Sequence, residues 1–206
     1  MPDDVLSCEQ KSALEHLVAA GVGGSYYLAG EIGLSLRLGH RRSVDLDFFC
    51  PDAGASLPLR AQIGRLPGLR VEDERAGTLH VSLDGVKASF LSYPYPLLEP
   101  AEILPPGIPV ASLADLAAMK LSTIIARGRR RDFVDLFEIA KRLPLERILD
   151  AFRRKTGEVN YNPLITAKAL VYFVDAEKDP APVLLRPCDW GDVKRFFESE
   201  VRKLWP

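Results

Sequence analysis

YLAGEIGLSLRLGHRRSVDLDFF, residues 27–49, is the stretch on which the reading of this chain turns. Tyr26-Tyr27-Leu28-Ala29 is a short apolar strand candidate. Gly30 breaks it, and Ile32 to Leu38 carries a helical rather than an alternating pattern. Gly39-His40-Arg41-Arg42 is a polar turn, with His40 expected at the surface. From Ser43 to Phe49 the pattern has period two. Val44, Leu46 and Phe48 fall on one face, and Ser43, Asp45, Asp47 and Phe49 on the other.

Asp45 and Asp47 therefore point to the same side of one strand. Two like charges at that spacing repel unless a cation lies between them. Carboxylate oxygens so placed suit Mg²⁺ or Mn²⁺, and Mg²⁺ takes few protein ligands and completes its shell with water and phosphate. A bare Asp-x-Asp is also what the polar edge of a half-exposed strand looks like, so context must decide. The context is the turn at Gly30 and Glu31, where free N–H groups and the start of a helix offer an anion site. A triphosphate lying between that turn and the two aspartates would share the metal with them. That is the arrangement nucleotidyl transfer requires.

Working outward, Gln10 to Ala20 reads as an amphipathic helix with Leu14, Leu17 and Val18 on one face, ended by Gly21, Gly23 and Gly24. Pro51 and Gly54 close the Asp45–Asp47 strand, and Leu57 to Leu66 is a helix. Val71–Glu74, Leu79–Leu83 and Val86–Leu91 follow as a strand meander, with Asp84-Gly85 as a hairpin turn. Six prolines between Pro94 and Pro109 read as a wandering linker. Ser112 is a helix N-cap, with Asp115 in the capping-box position. Helices are then expected at Leu113–Ala126, Asp132–Arg142, Leu145–Arg154, Pro163–Asp175 and Trp190–Leu204. The expectation is an α/β (α+β) fold. A mixed, mainly antiparallel sheet flanked by helices spans residues 1–95, and a helical half at 96–206 completes the cleft.

A chain of 206 residues with 47% apolar and 27% charged residues can bury a core without disulfides. The net charge of −1 excludes nucleic-acid binding by bulk charge, so any RNA contact must be local. Two local clusters exist, His40-Arg41-Arg42 and Arg127 with Arg129-Arg130-Arg131. Cys8, Cys50 and Cys188 are too few and too scattered for a zinc site. The acidic start MPDDVLSCEQ lacks the features of a signal peptide, and no apolar run reaches membrane-spanning length, so a cytoplasmic protein without a membrane partner is expected.

The stretch at residues 27–49 resembles the first motif of the abortive-infection nucleotidyltransferase toxins (the AbiEii/AbiGii type), whose core is similar to that of DNA polymerase β. That motif is a small-residue turn, a helix, then Gly-x-Arg-x-Ser-x-Asp-x-Asp. Gly39, Arg41, Ser43, Asp45 and Asp47 fall on it in register. A second match follows in order, with LADLAAMKL at 113–121 and RDFVDL at 131–136. It places Lys120, Asp132 and Asp135 on the family's lysine helix and its Asp-x-x-Asp-Leu motif. The resemblance implies a divalent metal at Asp45 and Asp47. It also implies an NTP held by Gly30, Glu31, Arg41, Ser43 and Lys120, and catalytic roles for Asp45, Asp47, Lys120, Asp132 and Asp135. Asp132 and Asp135, on one helix face, join the site, orient Lys120 or Arg131, or form purely structural salt bridges. The acceptor would be an RNA end (tRNA) or a protein hydroxyl, and a cognate antitoxin is expected as partner. Three positions depart from the pattern. Glu31 and Ile32 stand where the turn usually carries a second small residue and then a hydroxyl, and Ser89 where a third carboxylate is sought. They leave open a catalytically degenerate relative that binds nucleotide, RNA or protein.

Overall fold

The computed structural model describes residues 5–52, 55–157 and 161–205. Gly54, expected to help end the Asp45–Asp47 strand, lies outside the described residues. The first helix, α1 (Cys8–Ala19), starts at Ser7. The Ser7 side chain accepts from the Gln10 backbone N–H, while the Gln10 side chain accepts from the Ser7 N–H. This reciprocal pairing satisfies two of the N–H groups a helix start leaves free. Leu14 and Leu17 are fully buried beneath it.

Among the described residues, seven strands form one mixed sheet. They are β1 (Tyr27–Leu28), β2 (Leu46–Cys50), β3 (Leu69–Arg75), β4 (Thr78–Leu83), β5 (Val86–Ser92), β6 (Glu102–Leu104) and β7 (Ile108–Val110). The order is β3-β4-β5-β2-β1-β7-β6. Only β2–β5 and β1–β7 are parallel; the other neighbours are antiparallel. The expected fold class is thus the observed one. Asp84 (φ 50°) and Gly85 (φ 85°) form the β4–β5 turn, where both positions need the left-handed region.

The proline-rich stretch is not a linker. Residues 102–110 fold into β6 and β7, and β7 lies against β1 with Leu28 opposite Val110. Proline cannot donate to a ladder; Pro105 and Pro106 lie in the turn between β6 and β7, and Pro109 is the middle residue of the three-residue β7. Buried Ile108 and Val110 carry the apolar signal that the prolines mask. The sheet therefore continues past residue 95.

Helices α2 (Gly30–Leu38), α3 (Ser56–Ile63), α4 (Leu113–Ala126), α5 (Arg130–Ala140), α6 (Leu145–Thr156), α7 (Pro163–Leu170) and α8 (Trp190–Leu204) complete the chain. The strip expected to run helically from Pro163 to Asp175 stops at Leu170. Asp115 does not close a capping box. Ser112 caps α4, but the Asp115 carboxylate turns to the Leu98 and Glu99 N–H groups and to Lys155 Nζ at 2.6 Å.

The core divides by sheet face rather than by sequence half. Leu28, Leu46, Phe48, Val81, Phe90 and Val110 join α1 and α3 in one apolar layer. Tyr27, Ala29, Leu34 and Leu38 join the helices from α4 onward in the other, with Phe49 packed against it. Because side chains alternate along β2, Asp47 shares the second face with Phe49.

Candidate active site

β2 begins at Leu46, so Asp45 lies one residue before the strand. The expected alternation also fails at its start. Val44 is 74% exposed while Ser43 is buried. The cause is Gln10, whose side-chain amide donates to the backbone oxygens of Ser43 (2.8 Å) and Val44 (3.0 Å). The start of α1 thus fixes the segment that delivers Asp45.

Across from β2, the chain turns at Ala29-Gly30. The Ala29 N–H donates to the Asp47 carbonyl at 3.0 Å. Gly30 has φ 60°, and a Cβ there would lie 2.7 Å from Asp47 Oδ2. Glycine is required twice over, by its backbone angle and by the closeness of the carboxylate. The start of α2 is thereby pressed against Asp47.

The site's electrostatics follow from this closeness. Burial, together with the Asp45 and Glu31 carboxylates, pushes the Asp47 carboxyl up to about 6, against the pull of Lys120 and Arg131. Asp47 lines a cavity of about 310 Å³ whose other walls include Gly30, Phe49, Tyr93, Met119, Lys120 and Arg127. Asp45 instead borders a neighbouring groove of about 940 Å³, with Ser43, Arg42 and Lys87. Among the described residues, no group of three or more His, Cys, Asp or Glu is placed to hold a metal. Asp47, with the Asp45 carboxylate near enough to help raise it, is the hard oxygen donor that Mg²⁺ takes, with waters and phosphate oxygens as its remaining ligands.

Glu31 is engaged by two arginines. Its carboxylate lies 3.1 Å from Arg41 Nη2 and 2.7 Å from Arg131 Nε, the latter an ion pair without hydrogen-bond geometry. Ser89 sits on β5 directly opposite Asp47. His80 places Nδ1 2.9 Å from Ser89 Oγ.

The second motif builds the far wall. Lys120 is buried and donates to Asp132 Oδ1 (3.0 Å), with Asp135 Oδ2 at 2.8 Å. Burial would depress its ammonium, but Asp135, Asp132 and Glu31 outweigh that and raise it, so it stays charged. Asp135 is fully buried. It accepts both prongs of Arg41 (Nε 2.6 Å, Nη2 2.8 Å) and lies 2.8 Å from His40 Nε2. Burial pushes its carboxyl up, but Lys120, Arg41 and His40 prevail and hold it far below the usual range. His40 is therefore a buried partner of Asp135 and not a surface residue. Arg41 is equally committed to Asp135, Glu31 and the Arg42 carbonyl.

A segment that the sequence did not flag holds this turn. The Arg42 N–H donates to the Val183 carbonyl, and the Leu185 N–H donates to the His40 carbonyl. The strap from Asp179 to Val183 closes one side of a cavity of about 270 Å³ bordered by Glu31, Arg42, Arg129 and Arg131.

The profile described as "Nucleotidyl transferase AbiEii toxin, Type IV TA system" matches residues 12–204. The chain belongs to the AbiEii nucleotidyltransferase toxin family. A relative from Aquifex aeolicus (strain VF5), described as an uncharacterized protein, is 36% identical over 203 residues, covering 96% of this chain and 97% of its own. Among solved structures, MenT4, a nucleotidyltransferase toxin of Mycobacterium tuberculosis H37Rv, aligns with a TM-score of 0.61 at 22% identity, over 94% of this chain and 85% of its own. An H. pylori protein solved as a candidate nucleotidyltransferase aligns at 0.54 and 20% identity, over 97% and 96%. At these identities the two structures show that the AbiEii chain shares their fold.

Proposed function

We propose that this AbiEii-family toxin is a metal-dependent nucleotidyltransferase that moves NMP from an NTP to a hydroxyl on an RNA end, such as that of tRNA, or on a protein. The supporting observation is the Asp47 carboxylate, pressed against the Gly30 turn and raised by burial and by Asp45 and Glu31, in one cavity with Lys120. Asp45 and Asp47 would hold Mg²⁺ or Mn²⁺, which supplies charge neutralisation at the phosphates. The start of α2 would receive phosphate oxygens through its free N–H groups. An ammonium has three donors and Lys120 uses two on Asp132 and Asp135, leaving one for the cavity. Phe49 and Tyr93 offer an apolar wall for the nucleoside. Asp132 and Asp135 then orient Lys120 and Arg41 and do not contact substrate. Arg131, held by Glu31, and Arg129 would steer an acceptor's phosphates. A cognate antitoxin is the expected protein partner.

The direct test incubates the purified chain with each α-labelled NTP, Mg²⁺ or Mn²⁺, and bulk tRNA or cell protein. Label transfer that is lost in Asp45→Asn and Asp47→Asn supports the reading. A second reading, a catalytically degenerate relative that binds without turnover, is favoured by the hydroxyl of Ser89 standing opposite Asp47 where a carboxylate would be sought. NTP binding that depends on metal, without transfer to either acceptor, would establish it.

A further inference from the structure

We propose that Ser89 and His80 form the proton-accepting side of the transfer site, and this rests on the reading above. β2 and β5 are parallel with Asp47 opposite Ser89, and β4 and β5 are antiparallel with His80 opposite Ser89. Asp47, Ser89 and His80 therefore form one row across three strands, on the same face. Their neighbours Phe48, Ala88, Phe90, Leu79 and Val81 fill the buried face behind them. Adjacent strands lie about 4.8 Å apart, so the Ser89 hydroxyl stands roughly one strand spacing from the Asp47 backbone. Both Ser89 and His80 are half-buried and reachable from solvent. His80 Nδ1 at 2.9 Å from Ser89 Oγ is within range to take that hydroxyl's proton.

The step balances without a further reactant. The acceptor oxygen forms a bond to the α-phosphorus as the bond from that phosphorus to the β-phosphate oxygen breaks, releasing pyrophosphate. The acceptor's proton passes to Ser89 Oγ as the serine's own proton passes to His80 Nδ1. The imidazole ends protonated and later releases the proton to water. Ser89 touches the acceptor, whereas His80 acts through Ser89. In this arrangement a neutral hydroxyl backed by an imidazole does the work of a carboxylate, and it does so without adding a negative charge beside Asp45, Asp47 and Glu31.

Three variants test the pair in the label-transfer assay with bulk tRNA or cell protein, with NTP affinity measured in parallel by calorimetry. Glutamine can keep a cross-strand hydrogen bond but cannot take up the proton. His80→Gln and Ser89→Ala should each lower kcat by about 10²-fold while leaving NTP affinity unchanged. Ser89→Asp placed in the His80→Gln background should restore most of the lost turnover, because a carboxylate at residue 89 no longer needs the imidazole. The proposal is overturned if His80→Gln keeps wild-type kcat. It is also overturned if the variants lose NTP affinity in step with kcat, or if Ser89→Asp restores nothing. If the wild-type chain transfers no label to either acceptor, the parent reading falls and takes this one with it.

Discussion

Two clusters of charge face each other across the cleft, and they are built on opposite rules. On the α4–α5 side, Asp132 and Asp135 meet Lys120, Arg41 and His40 in a buried network in which every carboxylate oxygen has a partner. On the β2 side, Asp45, Asp47 and Glu31 crowd together, and Asp47 is held protonatable near neutrality. The first cluster is complete without any ligand. In the second, Arg41 and Arg131 answer Glu31, while the pull of Lys120 and Arg131 on Asp47 is outweighed by burial and its acidic neighbours. Burial alone does not separate the two clusters; the balance of protein counter-charge does.

The largest expected effect breaks the complete side. Asp135→Ala leaves Lys120, Arg41 and His40 buried without their common acceptor, and should destabilise the fold by about 3–5 kcal/mol. Chemical denaturation measures it. A loss below about 1 kcal/mol would mean that the network is no more than surface-grade pairing, and the contrast would fail.

Next comes the β2 side. Asp45→Asn and Asp47→Asn should each abolish divalent-dependent NTP binding while keeping the fold, as read by calorimetry. For Asp47 the sign on stability follows from its raised carboxyl. Its folded value of about 6 lies above the ordinary 3.8, so the protonated group favours folding, and that benefit is lost as pH rises through 6. Asp47→Asn should therefore stabilise the metal-free protein above pH 6 by on the order of 2–3 kcal/mol, with the gain vanishing below about pH 4. A melting temperature unchanged across that range would show that the carboxylates are already neutralised within the chain.

Gly30→Ala probes how tightly the turn is pressed on Asp47. The left-handed φ alone costs about 1–2 kcal/mol, and the added methyl must displace the carboxylate. Metal-dependent NTP affinity should fall while the apparent pKa of Asp47, followed by NMR titration, moves. Unchanged affinity would place the phosphate elsewhere.

The smallest effect is expected at Glu31, which belongs to both clusters through Arg41 and Arg131. Glu31→Gly removes one negative charge near Asp47 and also releases Arg131. The direct electrostatic gain should dominate for NTP, tightening binding by no more than a few-fold, since a half-open site screens strongly. Weaker Mg²⁺-dependent binding would instead make Glu31 a metal ligand.

The sequence by itself determined the fold class and most helices, because those depend on short-range patterns. The alternation at Leu46 to Phe49, the period of α4 and α5, the Asp84-Gly85 turn and the two family motifs are all contained within a few residues of themselves. It also singled out Asp45, Asp47, Lys120, Asp132 and Asp135. Telling their surroundings apart took the tertiary structure, because the charges that lie within a few ångströms of each come from far along the chain. His40 looks solvated beside two arginines, yet Asp135, 95 residues away, buries it. Val44 looks like a core residue, yet Gln10 turns the segment and exposes it. Prolines at 105, 106 and 109 read as a break, yet Leu28 on β1 leaves a strand edge that only residues 108–110 fill. Local propensity fixes what a segment can become. Partner charge and edge pairing, which act through space, fix what each of its side chains does.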